Sequence, residues 1–268
     1  MGIDADGEGT CAGCNPNRRF AKRVWSPSPP ARRTFRGIVF RSFASGMTFA
    51  ALLALPAAAE TVIVPASHDA TVIEDPDGAW ANGSGPFFFA GRTNQEQNGV
   101  RRALLRFDVA TALPDQAIIE AVSLTLYLSP SHPELREVRL YRVLSEWSEG
   151  PSSSAGGGGR PSEPGDVTWL HTFYDSDFWV HSGGQFLGRD SGALQVGDSG
   201  FYTWESSRHL VQDVALWKAA PDHNFGWILI GDETTRQNVK SFASRENPEP
   251  ALRPFLEVTY RLPGPPSR

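Results

Sequence analysis

Between Ile118 and Leu128 apolar and polar residues alternate one for one: Val122, Leu124, Leu126 and Leu128 fall on one side, Ser123, Thr125 and Tyr127 on the other. Successive side chains of a strand point to opposite faces, so a period of two encodes one buried and one open face. The same period recurs at short intervals. Residues 100–109 set Ala103, Leu105, Phe107 and Val109 opposite Arg102, Leu104 and Arg106, and the first of these faces suits a core. Residues 137–144 set Val138, Leu140 and Arg142 against Arg139, Tyr141 and Val143. Shorter stretches at 60–64, 70–73, 87–89, 166–169, 200–204, 225–230, 239–244 and 255–261 continue the series, with turns such as Asp75-Pro-Asp-Gly78 between them. One stretch departs from it. Leu210, Val211, Val214, Ala215 and Trp217 have the spacing of a short helix over residues 210–219. The pattern predicts an all-β sandwich of two antiparallel sheets with one short helix.

Composition changes near Glu60. Eight Lys and Arg lie between Arg18 and Arg41, followed by the apolar run Met47-Thr-Phe-Ala-Ala-Leu-Leu-Ala-Leu55 and Pro56-Ala-Ala-Ala59. Basic residues, a short apolar run and small residues before a cut read as a secretory signal peptide, with cleavage expected after Ala59. The run is shorter than the ~20 residues of a membrane span, so no stable membrane insertion is expected after cleavage. Residues 1 to about 35 are long and proline-rich for the start of such a peptide, which translation beginning nearer Val39 or Met47 would explain. The expected organisation is an N-terminal extension and signal peptide over 1–59, one β domain over 60–262 and a polar tail over 263–268. The product is expected to be secreted, extracellular or periplasmic.

Of 25 Lys and Arg, eight precede Glu60, and of 30 Asp and Glu, three do. The remaining 17 bases and 27 acids leave the domain about ten charges negative, which argues against nucleic acid as a partner. Both cysteines, Cys11 and Cys14, lie in the leader, so the exported domain has no disulfide. A structural Ca²⁺ ion is the supplement such a domain would use. Asp75 and Asp77, flanking a proline in a turn, are its candidate ligands, and an ordinary Asx turn is the plainer reading of the same residues.

Motifs for catalysis are missing from the sequence. The six His are scattered without a zinc spacing, and no GxSxG is present. The Gly-rich run Ser152-Ser-Ser-Ala-Gly-Gly-Gly-Gly159 lacks the Lys-Ser/Thr of a phosphate loop and reads as a flexible excursion within one domain. Glu146 and Glu149 bracket Trp147, but neighbours three apart do not establish a pair of carboxyls across a sugar. Candidate ligand contacts are aromatic and basic. Trp80 and Trp179 sit among polar and Gly-rich loops and offer flat faces for sugar rings, whereas Trp217 and Trp227 read as core. Arg102, Arg106, Arg139, Lys240 and Arg245 lie on strands with Tyr141, and Arg matches a carboxylate bidentately. If they converge, an acidic polysaccharide is the natural ligand. If they do not, cross-strand ion pairs, for example of Arg245 or Arg106 with Glu246 or Glu257, are the alternative.

Several motifs in order resemble one family. Arg102-Ala-Leu-Leu-Arg-Phe-Asp108, Val143-Leu-Ser-Glu-Trp-Ser-Glu149, the Ser/Gly loop before Asp166-Val-Thr-Trp169, Phe242-Ala-Ser-Arg-Glu246 and Arg253-Pro-Phe-Leu-Glu-Val-Thr-Tyr260 are similar to the DNRLRE domain family, which overlaps carbohydrate-binding module family 96. The resemblance spans residues 62–260. It implies a jelly-roll β-sandwich, extracellular placement and, for some members, binding to acidic polysaccharides such as alginate. The expected function is therefore a secreted, non-catalytic polysaccharide-binding module. The alternative is an extracellular structural or adhesive domain without a sugar site. A polysaccharide lyase or hydrolase is the third reading.

Overall fold

The computed structural model describes residues 58–264; the expected signal segment up to residue 57, with Cys11 and Cys14, lies outside them. The chain enters through β1 (Glu60–Ile73), β2 (Trp80–Asn82), β3 (Phe87–Arg92) and β4 (Val100–Phe107), then a single helical turn, α1 (Val109–Ala112). β5 (Ile118–Leu128) and β6 (Arg136–Val143) follow. A long excursion carries the short strands β7 (Arg160–Pro161), β8 (His171–Phe173) and β9 (Asp177–Phe178). The chain continues through β10 (Phe186–Val196), β11 (Gly200–Trp204), the helix α2 (Arg208–Ala219), β12 (Trp227–Ile230), β13 (Lys240–Ala243) and β14 (Phe255–Arg261).

The strands do not form the two separate sheets of a jelly-roll sandwich. Six of them, β1, β4, β3, β13, β5 and β14 in that order, close into a hydrogen-bonded ring as β14 pairs back onto β1, every neighbour antiparallel. The sandwich expectation is corrected to a closed six-stranded barrel with peripheral strands. β12, β6 and β10 extend outward from β4, β11 pairs with β5, and β2 and β7 continue from β1. β8 and β9 make a small sheet of their own.

Closure has two local causes. Residues 60–65 of β1 pair with β14, whereas residues 66–73 pair with β4, and the register slips between Ala66 and His68. Pro65, which has no N–H to give, sits at the break. In β3, residues 87–90 pair with β13, and Gly91 and Arg92 pair with β4. Gly91 has φ 117°, and a Cβ there would lie 2.8 Å from Asn238 Oδ1. Bulges and bends of this kind let one strand serve two layers. Alternation specifies which face of a strand is buried and not which neighbour it takes, so these corners leave the apolar pattern uninterrupted.

The interior follows that pattern. Ala103, Leu105 and Phe107 of β4 meet Val122, Leu124, Leu126 and Leu128 of β5, together with Phe242, Leu256 and Val258. Each fully buried Leu or Phe contributes about 1.5–3 kcal/mol. Helix α2 caps this core. Ser207 starts it by accepting the Leu210 N–H, and Leu210, Val214 and Trp217 face inward. Beneath it Trp217 and Trp227 pack edge to face at 4.4 Å. A second cluster of Ala70, Val72, Leu104, Trp147, Trp179 and Ile228 covers the opposite side of the same strands. The side of β4 that carries Arg102 and Arg106 is thereby roofed by the excursion after β6.

The carboxylate of Asp213 is buried under α2. It accepts hydrogen bonds from Ser191 Oγ at 2.5 Å and Trp227 Nε1 at 3.0 Å, and Arg142 lies 3.5 Å away. Asp213→Ala is expected to cost about 2 kcal/mol, the scale of hydrogen bonds to a charged group. Urea denaturation should show a lower midpoint with an unchanged m-value.

Candidate functional site

The bulge in β1 brings three carboxylates together. Asp69 follows the register slip, Glu149 comes from the loop after β6, and Glu246 from the loop after β13. Glu149 Oε1 accepts the Asp69 N–H at 2.9 Å and Arg245 Nε at 2.8 Å, while Arg245 Nη2 reaches Glu149 Oε2 at 2.5 Å. The Arg245 N–H donates to Asp69 Oδ2 at 2.7 Å, and its guanidinium also pairs with Glu246 at 2.8 Å. Gly83 makes room for the Glu149 loop, because a Cβ there would meet the Glu149 carbonyl at 1.8 Å. Burial pushes the Asp69 carboxyl well above its ordinary range, with Glu246 and Glu149 adding to the rise and the Arg245 N–H opposing it. Burial, then the Glu149 charge, pushes Glu246 up as well. This acid cluster can coordinate a divalent ion.

Asp75 and Asp77 form no such group. Asp75 Oδ1 accepts the N–H groups of Asp77 and Ala79 at 3.0 and 2.9 Å, which is the plain Asx turn.

The basic candidates do not converge. Arg102 is bound bidentately by Glu233 at 2.7 and 3.0 Å, donates to the Gly183 carbonyl, and stacks over Trp169 at 4.9 Å. Arg106 reaches His68 Nδ1 at 3.3 Å and lies 5.5 Å over Trp147. Arg139 pairs with Glu137 and Asp190. Lys240 is 1 % exposed, and its ammonium donates to the carbonyls of His132, Glu134 and Gly197. Arg245 belongs to the acid cluster. Arg139 and Tyr141 share an open cleft of about 450 Å³ on β6. Tyr141 leans on Phe186 at 5.3 Å.

The aromatic candidates divide. Trp179 is buried, with its Nε1 donating to the Thr168 carbonyl. Trp80 is 41 % exposed and forms one wall of a cleft of about 340 Å³ with Glu74, Asp75, Gln95, Gln97 and Asn98. Arg101 also lines it. Burial pushes its guanidinium down to about 10, with Glu74 pulling the other way. It donates to the carbonyls of Asn98, Val100 and Gly157 and to Gln95 Oε1. Asp69, Glu74, Gln95, Gln97, Asn98 and Arg101 are site residues that sequence reasoning missed. For Arg101 the legible signal was the period of two, which sets it on the same face as Ala103, Leu105 and Phe107.

Among the described residues no helix is long and apolar enough to cross a membrane. Compared with known proteins, the chain matches no family model and no curated protein.

Two outcomes follow from this electrostatics. Lys240→Met removes charge-assisted bonds and leaves the buried Gly197 carbonyl and two part-buried carbonyls without this donor, and is expected to cost about 2 kcal/mol by urea denaturation. Asp232 sits after β12, where burial opposes its charge but hydrogen bonds from Thr235 and Thr234 outweigh burial and hold its carboxyl well below the ordinary 3.8. A depressed folded value means stability that is complete at neutral pH and lost as pH falls below 3.8. The stability gap between wild type and Asp232→Asn should therefore shrink between pH 7 and pH 3.

Proposed function

We propose that this chain is a non-catalytic, extracellular structural or adhesive β-module, and that its basic residues serve the fold and not an acidic glycan. The observation that carries this reading is the internal pairing of four of the five candidate cations. Glu233 takes Arg102, Glu149 and Glu246 take Arg245, Glu137 and Asp190 take Arg139, and backbone carbonyls take Lys240. Binding a polyanion would mean breaking those contacts, and a paired charge released into a groove leaves its acid partner uncompensated. The acid surplus of the domain repels such a polymer further. Glu149, the acid that a glycosidase reading would need free, is tied to Arg245. The motif resemblance to the DNRLRE domain family belongs to this proposal, as do export and the signal peptide.

A second reading, a polysaccharide ligand at Trp80, is favoured by one observation. The exposed indole lines the 340 Å³ cleft together with Gln97 and Asn98. Flat aromatic faces with amides beside them suit a neutral sugar ring better than a uronic acid.

Calorimetry of the purified protein against alginate and a neutral glucan, each at about 0.1 M and 1 M salt, separates these readings, because the Debye length falls from about 10 Å to about 3 Å. The structural reading predicts no binding to either polymer. Neutral-glucan binding that is insensitive to salt and lost in Trp80→Ala would establish the second reading. Tight alginate binding that weakens with salt and is lost in Arg139→Ala would overturn both.

A further inference from the structure

We propose that Asp69, Glu149 and Glu246 form a binding site for a hard divalent cation, Ca²⁺ in preference to Mg²⁺. One oxygen from each side chain lies within 4.8 Å of those of the other two. A single ion at the roughly 2.3–2.6 Å typical of Ca²⁺–oxygen bonds reaches all three with little movement. Two oxygens in the cluster lack a protein partner. Asp69 Oδ1 and Glu246 Oε2 are buried and accept no hydrogen bond from any described residue, and Asp69 as a whole is 1 % exposed. A buried carboxylate oxygen with neither a donor nor a counter-ion is unfavourable, and native proteins seldom leave one so.

Charge points the same way. Three carboxylates surround Arg245, whose Nε and Nη2 are committed to Glu149, and Arg106 lies near enough for Glu149 to act on its charge. When all three are ionised the acids outnumber these bases, and a bound divalent ion offsets the surplus. The donors are all carboxylate oxygens, a set that suits Ca²⁺ or Mg²⁺ and not a soft metal. Mg²⁺ demands near-ideal octahedral geometry, whereas Ca²⁺ accepts the irregular set that an Arg245-lined wall permits. The ligands come from β1 and from the loops after β6 and β13, so an ion would fasten three distant parts of the chain at one corner of the barrel. Because an ion that binds only the folded chain adds its binding free energy to folding, its role would be a clasp. This site is independent of whether the module meets a glycan.

The test is calorimetric titration of CaCl₂ into chelator-treated protein at neutral pH, with thermal melts alongside. The expected result is one site with a Kd on the order of 10⁻⁴ M, in the range of extracellular Ca²⁺ modules. The melting temperature should rise with CaCl₂ and return with EDTA. Asp69→Asn keeps the shape and removes the unpartnered charge. It should weaken binding by at least roughly tenfold, since even outer-shell changes reach that size, and should abolish the Ca²⁺-dependent rise while leaving the metal-free protein no less stable. Glu246→Gln repeats the measurement where Asp69→Asn fails to fold. No heat and no melting shift with Ca²⁺ or Mg²⁺ at about 10 mM, a hundred times that Kd, would overturn the proposal and leave the cluster balanced by protons. Binding that survives unchanged in both variants would also overturn it, placing the ion elsewhere, and Mg²⁺ binding as tight as Ca²⁺ would overturn the preference.

Discussion

The change of partner within β1 is the constraint on which the rest of the fold depends. Its first half belongs to the β14 and β5 layer, its second half to the β4 and β12 layer, and the break between them falls at Pro65 to His68. The groups freed by the slip are taken up locally. The Ala66 N–H donates to the Pro254 carbonyl at 3.1 Å, and Ser67 Oγ donates to the Arg106 carbonyl at 3.0 Å. A strand shared in this way leaves neither layer with a free edge at that corner, which removes a template for aggregation. The same corner sets Asp69 against the loops after β6 and β13, so the geometry that closes the barrel also gathers the acid cluster.

Closure decides where the charges go. With Leu105 and Phe107 inside the barrel, the other side of β4 must carry Arg102, Leu104 and Arg106. Trp147, Trp179 and the rest of the second cluster then cover that side. A guanidinium under such a roof needs a partner, and Glu233, His68 and the rings of Trp169 and Trp147 supply one. Bases are thereby drawn inward while much of the acid surplus stays outside. An electrostatic surface left by that sorting is a poor match for an acidic polymer, which is why the pairing of the arginines bears on function as well as stability.

Much of the local structure was legible. The alternation over Ile118–Leu128 gives the strand, its ends and its buried face, and the spacing of Leu210, Val214 and Trp217 gives the helix. Ring closure was not legible, because a register slip at Ala66 and a glycine at 91 change neighbours without changing the period of two. Partnerships across long separations were hidden for the same reason. Glu149 invites comparison with Glu146 three residues away, yet its partners are Asp69 and Arg245, 80 and 96 residues distant. Composition was also silent on the anchoring of the loop at 150–165. Its glycines do not show that the buried Asp166 carboxylate accepts the N–H groups of Ser152 and Glu163, on either side of the glycine run. Trp179 sits in a Gly-rich stretch and is nonetheless core, since the excursion folds back over β4.

Native-state hydrogen exchange along β1 tests ring closure most directly. In a closed barrel the hydrogen-bonded amides of residues 60–64 and of residues 68–73 are protected by one cooperative unit, so both sets should exchange with the same opening free energy, equal to that of global unfolding. Two sets of amides that open at clearly different free energies, each moving with its own layer, would show two separable sheets and contradict the closed ring.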